Sequence, residues 1–168
     1  MARTLEKYHG PGKALYDWWK GLDDDRATRA VLRRAPDITA VTLTAAYQRL
    51  YRRLCDAGWA TTSRNDALAA AVGLLAHVKS EPPDDRPVAA SMSAAVKGGN
   101  SPEVSELRFK RLLESADLDT LFTGLRRALP LVNHSVDVIA LANDLVEWGD
   151  KVKKDWAYSY HWPAKSNH

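Results

Sequence analysis

The chain has 168 residues, 45% hydrophobic and 27% charged, and a formal net charge of +3 at pH 7. That length buries a core without staples, and a single cysteine, Cys55, rules out an internal disulfide or a cysteine zinc site. No apolar run approaches the ~18 residues of a membrane span, and Met-Ala-Arg-Thr-Leu-Glu-Lys has no secretory h-region, so a cytoplasmic protein is expected.

Residues 1 to 11, with Gly10-Pro11, read as a flexible lead-in. Leu15, Trp18 and Trp19 give Lys13 to Lys20 an apolar side, and Gly21 stops that helix. Asp23 to Asp25 suit the start of a second helix, because acids complement its dipole. It ends near Arg34, before Pro36, and carries Arg26, Arg29 and Arg33 along one side. A third helix shows the stripe Leu43, Tyr47, Leu50, Leu54 and Ala57, with Thr42 or Thr44 as cap and Gly58 as its stop. Arg49, Arg52 and Arg53 take its far side. Ser63 is the expected cap of a fourth, alanine-rich helix with Asp66 in its first turn, reaching about Val78. His77 on it reads as a packed or capping histidine, since no second ligand stands at metal spacing.

Glu81-Pro82-Pro83-Asp84-Asp85 is the clearest break in the chain. A short helix from about Pro87 to Val96 follows, then Gly98-Gly99-Asn100. Ser101-Pro102-Glu103 reads as the start of the next helix, with proline at its first position. There Phe109, Leu112, Leu113 and Ala116 form a narrow stripe, and Arg108 and Arg111 neighbour each other off it. Asp117 or Asp119 starts a helix in which Leu118, Leu121, Phe122, Leu125, Leu129 and Val132 share one arc. Arg127 lies opposite that arc, Arg126 on its flank, and Pro130 kinks or ends the helix. Ser135 is the expected cap of a deeply buried helix carrying Val138 to Trp148. Asp150 starts the last helix, with Lys151, Lys153 and Lys154 and the aromatic series Trp156, Tyr158, Tyr160 and Trp162. No segment alternates like a strand. The expectation is an all-α protein of seven to nine helices in two packed helical-bundle halves, 1–80 and 101–161. Residues 81–100 form a linker with a short helix, and 162–168 a polar tail.

The charge is unevenly spread. Between Arg26 and Arg64 there are eight arginines and only two acids, Asp37 and Asp56. Local basic excess is the footprint of a polyanion-binding face, although proteins that bind no nucleic acid show it too. A Gly-rich phosphate loop, His-Glu-x-x-His, Cys-x-x-Cys and Gly-x-Ser-x-Gly are all missing. The acid runs fall at a helix start and in a Pro-rich loop, where carboxylates are solvated. No active site, metal site or cofactor is expected. What remains is arginine chemistry: a planar fork grips phosphate oxygens, and a line of forks tracks a backbone without reading bases. Either arginine-bearing helix alone reads first as a solvated face. Trp18, Trp19 and Trp148 lie on apolar stripes, whereas Trp59 and Trp162 are open to packing or to stacking on bases.

Several segments then match a family pattern in order. They are Trp18-Trp19…Leu22, Arg29-Ala30-Val31-Leu32-Arg33-Arg34, Tyr47…Leu50, Ala76-His77 and Ser105-Glu106-Leu107-Arg108-Phe109…Leu112-Leu113. Leu125-Arg126-Arg127, Leu141…Asp144-Leu145…Trp148 and Trp156-Ala157-Tyr158…Tyr160 complete the set. Over about residues 14 to 161 the chain resembles the small subunit of the type I-E CRISPR effector complex Cascade, the CasB family. The resemblance implies a non-catalytic subunit of an antiviral surveillance complex, paired head to tail with a second copy. Its partners would be the large and backbone subunits with CRISPR RNA, and it would stabilise the R-loop by holding displaced single-stranded DNA on a basic groove. The positions matching that groove are Arg33, Arg34, Arg64, Arg108, Arg126 and Arg127. Lys151 and Lys154 join them where relatives often carry arginine, and Pro130 is another departure. A competing reading is a helical protein–protein adaptor whose arginines are solvated or face a partner's acids. A helix-turn-helix regulator is disfavoured, because the Arg-rich helices are long and end in apolar residues.

Overall fold

Asp25, Asp37, Thr44, Ser105, Asp117 and Asp137 each accept a hydrogen bond from the backbone amide three residues on, and each opens a helix. Such caps satisfy an amide that the first turn leaves without a partner. In this computed structural model, which describes residues 4–93 and 101–165, ten α-helices are present among the described residues. In order they are α1 (Gly10–Gly21), α2 (Arg26–Arg34), α3 (Ile38–Thr42), α4 (Ala45–Asp56) and α5 (Asn65–Leu75). Then come α6 (Val88–Ser93), α7 (Glu106–Leu113), α8 (Leu118–Ala128), α9 (Val138–Val146) and α10 (Asp150–Ser159). No strand is found among the described residues, and none of the helices is long and apolar enough to cross a membrane.

Ten helices exceed the seven to nine expected, and the surplus includes α3. Five residues after Pro36 are too few to show a period, yet Asp37 caps them and Ile38 and Val41 are buried. Leu43 consequently falls between α3 and α4, 78% exposed, and does not join the α4 stripe. Three expected caps move. Ser63 lies inside a 3-10 turn (Thr62–Arg64) that precedes α5, and α5 stops at Leu75, short of Val78. Ser101 gives way to Ser105, because Val104 is tied outside the helix: its amide donates to Met92 O at 2.8 Å and its carbonyl accepts Tyr160 O–H at 2.6 Å. Ser135 gives way to Asp137. At Pro130 the α-helix does end, as expected: α8 stops at Ala128 and a 3-10 turn (Leu129–Val132) follows it directly. The expected helix from Pro87 shortens to α6, and its end through Val96, with Gly98-Gly99-Asn100, lies outside the described residues.

The lead-in is also packed. Leu5 is fully buried, its amide donating to Asn143 Oδ1 at 2.8 Å and its carbonyl accepting from Asn143 Nδ2 at 2.7 Å. A Cβ on Gly12 would lie 2.1 Å from Glu6 O, so only glycine lets this segment cross α1 so closely.

At the centre stands α5, buried at every residue from Ala67 to Leu75. Its alanines let α3, α8 and α9 pack around it, and α9 is buried at eight of its nine residues. α1 packs on α4, α7 on α8, and α6 on α10. The buried side chains form one cluster running from Leu5 to Tyr160. Each fully buried leucine contributes about 1.5–3 kcal/mol of transfer free energy. Glu81, in the Pro-rich break, joins three segments: one oxygen accepts Tyr16 O–H at 2.5 Å and the other accepts the Val138 amide at 3.0 Å.

Candidate nucleic-acid interface

Both arginine pairs sit in the last turn of their helices, Arg33 and Arg34 on α2, Arg126 and Arg127 on α8. Cations there complement the carbonyl end of the helix dipole, so the positions have a structural reason as well. The two helix ends meet. Arg126 Nη2 donates to the Arg33 carbonyl at 3.0 Å, and the Arg126 guanidinium lies 5.7 Å from the centre of the Phe122 ring. Arg126 is therefore half-buried, while Arg33, Arg34 and Arg127 are exposed. No ion pair to a carboxylate engages any of the four among the described residues.

His77 follows α5 close to this junction. Its carbonyl accepts from His134 Nδ1 at 2.9 Å, and its ring Nε2 is buried without a hydrogen-bond partner among the described residues. Burial first, then the charges of Arg126 and Arg33 and the nearby His134, push the imidazole down to about 4. It is thus held neutral beneath the arginines.

Arg127, with Thr120 and Thr123 on the same helix, also faces an open groove of about 750 Å³ between α7 and α8, which Arg108 and Ser105 line from the α7 side. The connected series is Arg33, Arg126, Arg127 and Arg108, with Arg34 beside Arg33.

Arg64, Lys151 and Lys154 are placed elsewhere. Arg64 Nη1 donates to the Val146 carbonyl at the end of α9, so part of its fork serves the fold. Lys151, in the first turn of α10, pairs with Asp155 at 2.8 Å. That carboxylate, with Glu147 and Asp144 nearby, raises the lysine. Lys154 is exposed one turn further on. These three gather at the α9–α10 corner, and none is in direct contact with the arginines of the α2–α8 junction.

The tryptophans divide cleanly. Trp59 is buried and donates to Asn65 Oδ1 at 3.0 Å, and Trp19 donates to Val78 O at 2.9 Å. Trp162, 40% exposed, packs edge-on to Phe109 and Tyr160. Packing accounts for both Trp59 and Trp162 without a base.

A family model described as CRISPR-associated protein Cse2 (CRISPR_cse2) matches residues 28–161. The chain belongs to the Cse2 family. All the basic positions from Arg33 to Lys154 fall inside the Cse2 match. The CRISPR-associated protein Cse2 of Thermus thermophilus is 30% identical over 159 residues, 90% of each chain. Two solved structures share the Cse2 chain's fold. One chain of the crystal structure of E. coli Cascade bound to a PAM-containing dsDNA target has a TM-score of 0.68 at 20% identity, covering 88% of this chain and 92% of its own. CasB from Thermus thermophilus has a TM-score of 0.65 at 24% identity, covering 90% and 97% respectively. At these identities the two structures establish the all-α fold of this Cse2-family member.

Proposed function

We propose that this chain is the non-catalytic small subunit of a type I-E Cascade surveillance complex in the cytoplasm. It holds displaced single-stranded DNA by its phosphates and so stabilises the R-loop. The observation that carries the reading is the meeting of the α2 and α8 ends, which presents Arg33, Arg34, Arg126 and Arg127 together without carboxylate partners among the described residues, in a Cse2-family chain. Arginine forks aimed at phosphates give affinity and no sequence preference. The large and backbone subunits with CRISPR RNA, and a second copy set head to tail, are the partners. Their support is that a chain of the same fold occurs in Cascade bound to a dsDNA target. Arg64, Lys151 and Lys154 extend the surface to the α9–α10 corner, with Lys151 released from Asp155 when a phosphate competes for it.

The test is the double variant Arg126→Ala, Arg127→Ala in the assembled complex. It should fold, by circular dichroism, join the complex, and lose R-loop stability at physiological salt. The isolated subunit should bind DNA only at about the micromolar level of non-specific contacts. A complex that assembles with the variant and keeps its target as tightly as wild type leaves the protein–protein adaptor as the surviving reading.

A further inference from the structure

By its spacing with Tyr47, Leu43 belongs to a core stripe, yet the fold puts it on the surface. It lies in the turn between α3 and α4 with 78% of its surface exposed. That turn is fastened by its own hydrogen bonds. The Leu43 amide donates to Thr39 O at 3.0 Å and the Thr44 amide to Val41 O at 3.1 Å. Thr42 Oγ1 donates to Ile38 O at 2.9 Å, and Gln48 Nε2 donates to Thr42 O at 2.8 Å. The backbone at Leu43 is thus fixed, and little order is left for a partner to impose.

Leu43 stands on an open groove of about 410 Å³ between α3 and the start of α8. Ile38, Leu43 and Leu118 give the groove an apolar lining. The charged groups on it are all acidic: Asp66 from the first turn of α5, and Asp117 and Asp119 from the start of α8. Two of them also serve the fold. Asp117 accepts the Thr120 amide at 2.7 Å, and Asp119 accepts the Ile38 amide at 3.0 Å, which ties α3 to α8. All three are exposed, and none is in an ion pair among the described residues. Apolar surface with a polar rim is what a protein partner covers. A rim of carboxylates selects a cationic partner and repels a phosphate backbone. The arginines that would meet phosphates are in the last turn of α8, roughly 10–15 Å further along its axis. We propose that this groove docks a basic segment of a partner protein, which sets an apolar side chain against Leu43 and a lysine or arginine against Asp66 and the α8 carboxylates. The inference rests on the reading that the chain works among other subunits, and it adds the surface and the chemistry of one contact.

The experiment uses the full chain in the complex assembled with its partner subunits. With photoreactive benzoylphenylalanine in place of Leu43, irradiation should join this position to a peptide of another subunit. That peptide should carry a lysine or arginine within about four residues of the attachment, one helical turn. Leu43→Asp should weaken entry into the complex by about tenfold, the loss of one buried apolar anchor. Asp66→Lys should weaken it as well, because the new charge repels a basic segment. Both variants should keep the circular dichroism and the urea midpoint of wild type, since both residues are exposed. The inference is overturned if no crosslink forms in the assembled complex. A crosslink to nucleic acid, to a second copy of this chain or to a segment without a cation overturns it too, as does entry of Leu43→Asp at the wild-type level. Should wild type enter the complex and Leu43→Asp enter equally, only this inference fails. Should wild type enter no such complex, the reading above fails and takes this inference with it.

Discussion

His77 has a neutral ring in a basic neighbourhood, and its energetics run one way with pH. Its folded value is about 4, below the ordinary histidine value of 6.5. The unfolded chain therefore takes up a proton first as pH falls, and acid favours unfolding. Above about pH 7 both states are neutral and stability is flat in this respect. Between about pH 6.5 and pH 4 the protein should lose up to ~3 kcal/mol through this residue, with no further loss below. Denaturant melts at about pH 7 and pH 5 check it: His77→Gln should reduce the difference between them. An unchanged difference would place the acid sensitivity elsewhere. The sequence showed His77 as a packed residue on an apolar stretch, but not what lies against it. Arg33, Arg126 and His134 come from three distant segments, and no local period reports them.

Among the helices, α8 displays its register openly. Leu121, Phe122 and Leu125 are fully buried and Arg127 is exposed, as their spacing requires. Leu125→Ala should cost roughly 2–5 kcal/mol, as for a large core residue cut to alanine. Arg127→Ala should stay within about 0.5 kcal/mol, the usual surface range. Urea melts giving the opposite order would contradict this packing. Helix starts were less legible than helix faces. Ser101 and Ser135 are good caps by residue type, yet each competes with another polar residue nearby, while α5 follows a 3-10 turn and has no side-chain cap at Arg64. Tertiary contacts decide between them. Val104, tied to Met92 and Tyr160, keeps the chain out of the helix past Ser101 and delays α7 until Ser105. The burial of Leu5 was invisible for a related reason. One leucine in a polar lead-in has no period, and its partner Asn143 lies 138 residues away.

At the scale of the whole molecule, the Pro-rich break divides the chain while the buried cluster spans it. α5 from before the break packs on α8 and α9 from after it. Unfolding should therefore be a single cooperative transition. Trp59 and Trp156, both buried, report on the two sides of the break. Fluorescence of single-tryptophan variants and far-ultraviolet circular dichroism should give coincident curves. Separate midpoints for the two tryptophans would show that the halves unfold apart. The candidate surface has the same character. Its arginines are plain in the sequence as residue types, and helix periodicity puts most of them outside. Their meeting is not plain, because Arg33 and Arg126 are 93 residues apart and only the packing of α2 and α8 against α5 unites them. Arg64 and Lys151, equally basic in the sequence, are drawn into contacts with Val146 and Asp155.

The hydrogen bond from Arg126 to the Arg33 carbonyl restricts how that arginine moves. A free arginine side chain gives up as much as ~2 kcal/mol of rotamer entropy when a ligand fixes it. Arg126 is already tied at one nitrogen and laid against Phe122, so under the proposed phosphate contact it has less freedom to lose. Arg127, with no such tether, still has that freedom to lose, and the two neighbouring arginines should differ in affinity for reasons of order rather than charge.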